Sequence, residues 1–174
     1  MPRNVEIKAR IESIDGMTGK VAAIADQGPI KIVQDDTFFV CERGRLKLRA
    51  FSATEGQLIF YRRADQAGPK ESFFIIAPTS SPDSLREALS LAYGQAGRVR
   101  KERILYLVGR TRVHLDRVED LAEFLELEVV LSDGEPQEAG VEEAHRLMRA
   151  LGIEKEQLLD GAYVDLLAHE RPRR

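Results

Sequence analysis

The run Leu121-Ala122-Glu123-Phe124-Leu125-Glu126-Leu127-Glu128-Val129-Val130-Leu131 decides how the rest of the chain is read. Alternation makes it a strand. Leu125, Leu127, Val129 and Leu131 fall on one face, and Phe124, Glu126, Glu128 and Val130 on the other. A solvated strand face usually mixes Lys, Thr, Ser and Glu; here two carboxylates share a face with an aromatic ring and a valine. At roughly 3.3 Å of rise per residue, Glu126 and Glu128 stand about 7 Å apart along the strand. Both can then touch one hydrated cation or two neighbouring cations.

The same period-2 signal recurs upstream. Asn4 to Ile11 sets Val5, Ile7, Ala9 and Ile11 against Asn4, Glu6, Lys8 and Arg10. Ser13 or Asp15 opens a helix through Ala25, stopped by Gly28-Pro29. Lys31 to Cys41 is the second strand, with Asp35-Asp36 as the place for a bulge and the register of both aspartates open. Gly44 turns the chain into the third, Arg45 to Phe51, with Lys47 and Arg49 on one face and Leu46 and Leu48 on the other. Gln57 to Ala64 and Lys70 to Ala77 are the fourth and fifth. A helix from Ser81 or Asp83 to Gly94 follows, with Pro82 in its first turn. Arg98 to Val108 and Thr111 to Val118 are the sixth and seventh strands, and the opening run is the eighth. Beyond it, Ser132 to Gly140 reads as a loop, Val141 to Leu151 and Glu154 through Leu159 as helices, and Tyr163 to Leu167 as a last helical piece.

Composition narrows the class. At 174 residues the chain is expected to be one domain over residues 1–168, with a loose tail over 169–174. Its 26 basic residues against 29 acidic ones leave a net charge of −3, which favours neither DNA coating nor membrane-surface attachment. The single Cys41 excludes an intrachain disulfide and a cysteine metal cluster, and reads as a small buried hydrophobe. No apolar run approaches about 18 residues and no signal-peptide pattern opens the chain, so a cytoplasmic protein is expected.

Eight antiparallel strands with short turns and a few helices imply an α+β fold: a β-barrel or tunnel with flanking helices. Glu6/Lys8, Lys47/Arg49, Lys101/Arg103, His114/Asp116 and Glu126/Glu128 are five alternating ionisable pairs, each opposite an apolar face. Any one fits a solvated face; five together fit a charged interior. Such an interior costs several kcal/mol per charge unless it is paired or bound. Basic side chains suit phosphate oxygens, and clustered carboxylates suit Mg²⁺ or Mn²⁺.

Six segments carry a family resemblance: Asn4-Val-Glu6-Ile-Lys8-Ala-Arg10, Asp36-Thr-Phe-Phe39, Gly44-Arg-Leu-Lys47-Leu-Arg49, Lys101-Glu-Arg103-Ile-Leu-Tyr106, Val113-His-Leu-Asp116 and Phe124-Leu-Glu126-Leu-Glu128. The chain resembles the CYTH, or triphosphate tunnel metalloenzyme, superfamily, nearest the class IV adenylate cyclase branch with its thiamine triphosphatase-like relatives. The resemblance implies an eight-stranded tunnel. It also implies metal binding by Glu6, Asp116, Glu126 and Glu128, and triphosphate binding by Lys8, Lys47, Arg49, Arg62, Lys101 and Arg103. Lys8, Lys47, Arg49 and Arg103 are the expected catalytic positions among these. Two departures stand out. Asn4 replaces the first Glu of the usual Glu-x-Glu-x-Lys opening, keeping a carbonyl oxygen and removing one negative charge. Ala122 replaces a frequent Gly. His114 reads as a polar lining group rather than a general base, and Tyr61 and Arg63 as outer-face residues.

Three functions compete on this reading: ATP cyclisation with release of pyrophosphate, hydrolysis of inorganic, thiamine or nucleoside triphosphate, and non-catalytic binding of polyphosphate or an RNA 5′ end. The implied partner is a small-molecule triphosphate, ATP or tripolyphosphate, with no membrane and no DNA. A homodimer is left open.

Overall fold

Closure of a sheet on itself is the central feature of the computed structural model, which describes residues 2–64 and 66–170. The elements run β1 (Arg3–Arg10), α1 (Ile14–Ile24), β2 (Gln27–Phe39), β3 (Arg45–Ala50), β4 (Gly56–Arg63), β5 (Lys70–Thr79), α2 (Pro82–Tyr93), β6 (Gln95–Val108), β7 (Thr111–Val118), β8 (Glu123–Val130), α3 (Gln137–Leu151), a 3-10 turn (Lys155–Gln157), β9 (Leu158–Leu159) and α4 (Tyr163–Glu170). Neighbours follow the order β5-β4-β3-β2-β6-β7-β8-β1, and β1 pairs back onto β5 to complete a ring of eight. Every pairing in the ring is antiparallel. β1 divides its second edge: Arg3 to Glu6 pair with β5, while Lys8 and Ala9 pair with β9.

The outward faces of β1, β7 and β8 are apolar and lie under α1 and α3. Val5, Ile7, Val113, Leu115, Leu125 and Leu127 are buried there with Val21 of α1 and Leu147 and Leu151 of α3. Each such side chain removed from water contributes roughly 1.5–3 kcal/mol. Local signals hold the helices in place. The Ser13 hydroxyl accepts the Gly16 N–H at the start of α1. Gly152 ends α3 with a φ of +70°, a left-handed conformation that favours glycine. α2 lies over β2 and β3, where Arg86 donates to the Thr37 hydroxyl at 3.0 Å.

A second cluster closes one end of the ring. Phe38, Val99, Val118 and Phe124 pack against Ala162, Tyr163, Val164 and Leu167. The chain from Asp160 into α4 touches β1 through Lys8, β5 through Lys70, β7 through Asp116 and β3 through Arg45. Gly97 of β6 has no room for a side chain because Val164 presses on it. α4 is therefore a stopper across the ring rather than a cover on its flank.

Several boundaries differ from the sequence expectation. β2 begins at Gln27, so Gly28-Pro29 lies inside the strand, and α1 has ended at Ile24. The register of β2 against β6 shifts between Gln27 and Ile30 and between Phe38 and Phe39, and stays regular through Asp35 and Asp36. β6 starts at Gln95 rather than Arg98, and α3 starts at Gln137, within the expected loop. The expected helix from Glu154 to Leu159 is a single 3-10 turn followed by β9, because β1 still offers an unpaired edge beyond β5. Of the tail expected over 169–174, His169 and Glu170 complete α4, and 171–174 lie outside the described residues. Cys41 is half-exposed rather than buried.

Two glycines test the packing of the outer layer. A Cβ on Gly140 of α3 would meet Val5 Cγ2 at 2.6 Å and Leu131 Cδ2 at 2.8 Å, whereas one on Gly19 of α1 meets nothing within 4 Å. Gly140→Ala is expected to destabilise the protein by about 1–3 kcal/mol, the scale of overpacking. Gly19→Ala is expected to stabilise it by about 0.4–1 kcal/mol through the unfolded chain. Urea midpoints of the two variants check both signs.

Candidate functional site in the tunnel lumen

Strand alternation in a closed ring leaves one face of every strand nowhere to go but the lumen. Glu6 and Lys8 of β1, Lys47 and Arg49 of β3, Lys101 and Arg103 of β6, and Glu126 and Glu128 of β8 all line a cavity of about 540 Å³. Among the described residues seven basic side chains face it against four acidic ones, a balance that suits a polyanion.

The basic arc is formed by β2, β3 and β6. Arg49 donates to Asp36 through Nε and Nη2, each at 2.8 Å. The Nζ atoms of Lys47 and Lys101 each lie 3.2 Å from the same carboxylate. Burial alone would raise the Asp36 carboxyl, but Arg49, Lys101 and Lys47 outweigh it and hold it well below the usual carboxylate range. Burial lowers Lys47 to about 7, with Arg49 pushing the same way and Asp36 opposing. Burial lowers Lys101 to about 8, against the pull of Asp36.

The acidic arc lies on β1, β8 and β7. Lys8 Nζ is 3.4 Å from Glu126 Oε1, donates to the Gly161 carbonyl at 3.2 Å and sits 3.8 Å from the centre of the Tyr163 ring. Glu6 accepts from Arg63 Nη1 at 2.6 Å. Burial raises the Glu6 carboxyl; Arg63 offsets part of that, and Glu128 and Glu126 add to it. His114 Nδ1 stands 3.6 Å from Glu126 and 3.9 Å from Glu128, too long for a hydrogen bond, and it has no partner. One ligand atom from each of His114, Glu126 and Glu128 lies within 4.8 Å of the others. Asn4 Oδ1 is also buried without a partner. Crowded carboxylates, an orphaned imidazole nitrogen and an orphaned amide oxygen fit a hard divalent cation.

Three expectations are corrected by this arrangement. Arg62 is exposed, because β4 turns Gln57, Ile59, Tyr61 and Arg63 inward and leaves Arg62 outside against the Phe60 and Phe73 rings. Tyr61 and Arg63, expected outside, line the lumen. Asp116 does not join the acidic cluster. It accepts from Arg103 Nε and Nη2 at 2.7 and 2.8 Å and from the Tyr163 hydroxyl at 2.7 Å, so both its oxygens are committed. Arg103 also reaches Glu126 at 3.3 Å, which makes it the link between the two arcs. Sequence reasoning missed Asp36, Arg63 and Tyr163. Adjacent like residues hid the first two, since Asp35-Asp36 and Arg62-Arg63 each offer either face. Nothing local marks Tyr163, which reaches the lumen from the stopper.

The lumen changes character along its axis. Most of the charge lies toward α4, while Phe51, Phe74, Ile76, Leu105 and Leu107 line the other end together with Gln57 and Arg112, and Ile76 is 42% exposed at the mouth.

The family model described as the CYTH domain matches residues 2–163. The chain belongs to the CYTH family. The CYTH fold recurs in solved structures of low sequence identity. The PH1012 protein of Pyrococcus horikoshii is 22% identical, with a TM-score of 0.83 over 94% of this chain and 99% of that one. A candidate adenylate cyclase of Vibrio parahaemolyticus is 18% identical, with a TM-score of 0.77 over 95% of this chain and 97% of that one. A candidate adenylyl cyclase of Hippeastrum, for which a dominant triphosphatase activity is described, is 14% identical, with a TM-score of 0.66 over 98% and 97%. These likenesses show the fold. No curated protein matches the sequence. Among the described residues no helix is long and apolar enough to cross a membrane.

The lowered lysines give the CYTH tunnel a pH signature. Lys47 titrates at about 7 in the folded protein against 10.5 ordinarily, so the unfolded chain binds the extra proton between those values. The cost of charging Lys47 is full below about 7, fades as pH rises and is gone above the ordinary lysine value. Lys47→Met is accordingly expected to stabilise the empty protein near neutral pH, with the gain shrinking toward alkaline pH. Denaturant midpoints of the variant and wild type across that range check the sign.

Proposed function

We propose that this chain is a metal-dependent enzyme that takes the triphosphate group of a small molecule into the tunnel. The reaction we favour is that of a class IV adenylate cyclase, ATP to cyclic AMP and pyrophosphate. One observation carries the reading: a cationic arc from β3 and β6, gathered on Asp36 of β2, faces the carboxylates of β1 and β8 across one closed lumen. In the ring of eight, β3 and β8 stand opposite one another. The apolar mouth supports a substrate with an organic portion over tripolyphosphate alone.

In this reading Lys47, Arg49 and Lys101 bind phosphate oxygens, and Arg103, held by Asp116, orients the chain of phosphates between the arcs. The substrate's 3′-hydroxyl gives up its proton to water, and its oxygen forms a bond to the α-phosphorus as the bond from that phosphorus to the bridging oxygen breaks. Pyrophosphate leaves with the electron pair, onto the cationic arc. Aligned cations of this kind stabilise charge where it develops and cost no reorganisation. Glu126 and Glu128, with His114 beside them and Glu6 on the neighbouring strand, would hold the Mg²⁺ or Mn²⁺. When bound, such an ion would neutralise carboxylate and phosphate charge and polarise a phosphoryl oxygen. Asp116 serves as the partner of Arg103. The working location we infer is the cytoplasm.

Hydrolysis is the second reading, since the Hippeastrum protein described with a dominant triphosphatase activity shares this fold. Incubating the protein with ATP or tripolyphosphate and Mg²⁺ or Mn²⁺, then separating the products, decides between them. Cyclic AMP with pyrophosphate is the expected outcome; orthophosphate without cyclic AMP makes the protein a triphosphatase, and no turnover ends the enzyme reading.

Glu128→Gln removes charge at constant size from a self-repelling arc. It is expected to keep the fold, to melt at the same or a higher temperature without metal, and to lose at least about 10²-fold in metal-dependent turnover. Melting curves and turnover against Mg²⁺ and Mn²⁺ concentration check both halves. Unfolding would make Glu128 structural, and normal turnover would remove it from the metal site.

A further inference from the structure

Asp36 stands outside the expected phosphate-binding set, yet the cationic arc is assembled around it. Its carboxylate is 1% exposed and meets three cations drawn from the two strands that flank β2. Arg49 and Lys47 come from β3, and Lys101 comes from β6. Arg49 forks onto both oxygens at 2.8 Å, and each lysine stands 3.2 Å away. The other titratable groups facing this point are Arg103 of β6, Tyr61 of β4, Tyr163 of α4 and Asp116 of β7, which also favours the charged form of Lys101 from a greater distance. Among the described residues Asp36 is the carboxylate in ion-pair contact with all three cations. Three buried cations without an anion between them would repel and turn apart.

We propose that Asp36 is a positioning residue that gathers Lys47, Arg49 and Lys101 onto one point of the lumen, so that a phosphate group meets a cradle already assembled. The proposal rests on reading the lumen as a triphosphate site. Three cations to one carboxylate leave the cradle net positive, so an entering polyanion is still attracted. Asp36 also opposes the burial that strips protons from both lysines, keeping them charged to a higher pH than they would reach without it. Its role is exerted on the lysines and the arginine, and it makes no contact with phosphate itself.

Calorimetric titration with tripolyphosphate from about pH 6 to about pH 9 tests this on wild type, Asp36→Asn and Asp36→Glu, with melting curves alongside. Wild type is expected to bind; if it does not, the triphosphate reading falls and this proposal with it. Asp36→Asn is expected to bind about tenfold more weakly near pH 8 and less than about threefold more weakly near pH 6, a one-unit fall in a lysine pKa being worth tenfold. A residue that only supported the fold would weaken binding by one factor at every pH, and that result would overturn the proposal. So would equal or tighter binding by Asp36→Asn throughout, which would make Asp36 a mere competitor of the ligand. Asp36→Glu keeps the charge and moves it by one methylene. If the Asn variant does not fold, the Glu variant decides: weakened binding with a wild-type melting curve supports the cradle, and wild-type affinity, or weakening that only follows a lowered melting temperature, overturns it.

Discussion

The pairing of Arg3–Glu6 with Lys70–Phe73 is the constraint on which the rest of the molecule depends. Without it the eight long strands form an open sheet, and the face bearing Glu6, Lys47, Arg49 and Glu128 would be solvated like any other. With it, strand alternation becomes a sorting rule. Every second residue enters a lumen, and the others meet α1, α2, α3 or water. β1 can close the ring because it spends its two edges differently: β8 runs along one edge, while β5 and then β9 share the other.

A closed lumen of charge is expensive unless each group is answered. Asp116 is answered by Arg103 and Tyr163, Glu6 by Arg63, Glu126 by Lys8 and Arg103, and Asp36 by three cations. These pairs are not uniform. Asp36 and Asp116 have every oxygen engaged, so they act as fixed frame. His114 and Asn4 keep an unsatisfied atom each, and Glu126 and Glu128 crowd together beside them. The frame groups set geometry, and the unsatisfied groups, Gln34 Oε1 of β2 among them, are open to a ligand.

Much of this was legible in the sequence, and the reason is alternation. The period-2 pattern of the run ending at Leu131 placed Glu126 and Glu128 together, and the same pattern placed Lys47 with Arg49 and Lys101 with Arg103. The ring itself followed from the number of such strands. What failed was parity where two like residues adjoin. Arg62 and Arg63 are interchangeable in a pattern, and only the pairing of Lys47 with Ile59 fixes which one turns inward. Asp35 and Asp36 posed the same problem, resolved by the pairing of Asp36 with Arg49. Asp116 shares the parity of His114 on β7, but it is buried against Arg103 and Tyr163, and Tyr163 arrives from the far end of the chain. No spacing within β7 announces a contact 47 residues away.

The stopper formed by α4 has a kinetic meaning. Lys8 and Lys70 tie the Asp160–Gly161 backbone to the ring wall, and Tyr163 is held by Asp116. With α4 packed across that end, the open mouth of the CYTH tunnel is the natural way in and out. On the proposed reading, a substrate that goes in phosphate-first would come to rest with its most charged end deepest and its organic end nearest the mouth. Traffic would then be single-file: after the proposed cleavage the piece nearer the mouth would depart first, with the deeper anion waiting behind it. Slow departure of that last anion would hold the tunnel closed to the next substrate, so turnover in such an architecture is governed at the exit as much as at the bond that breaks.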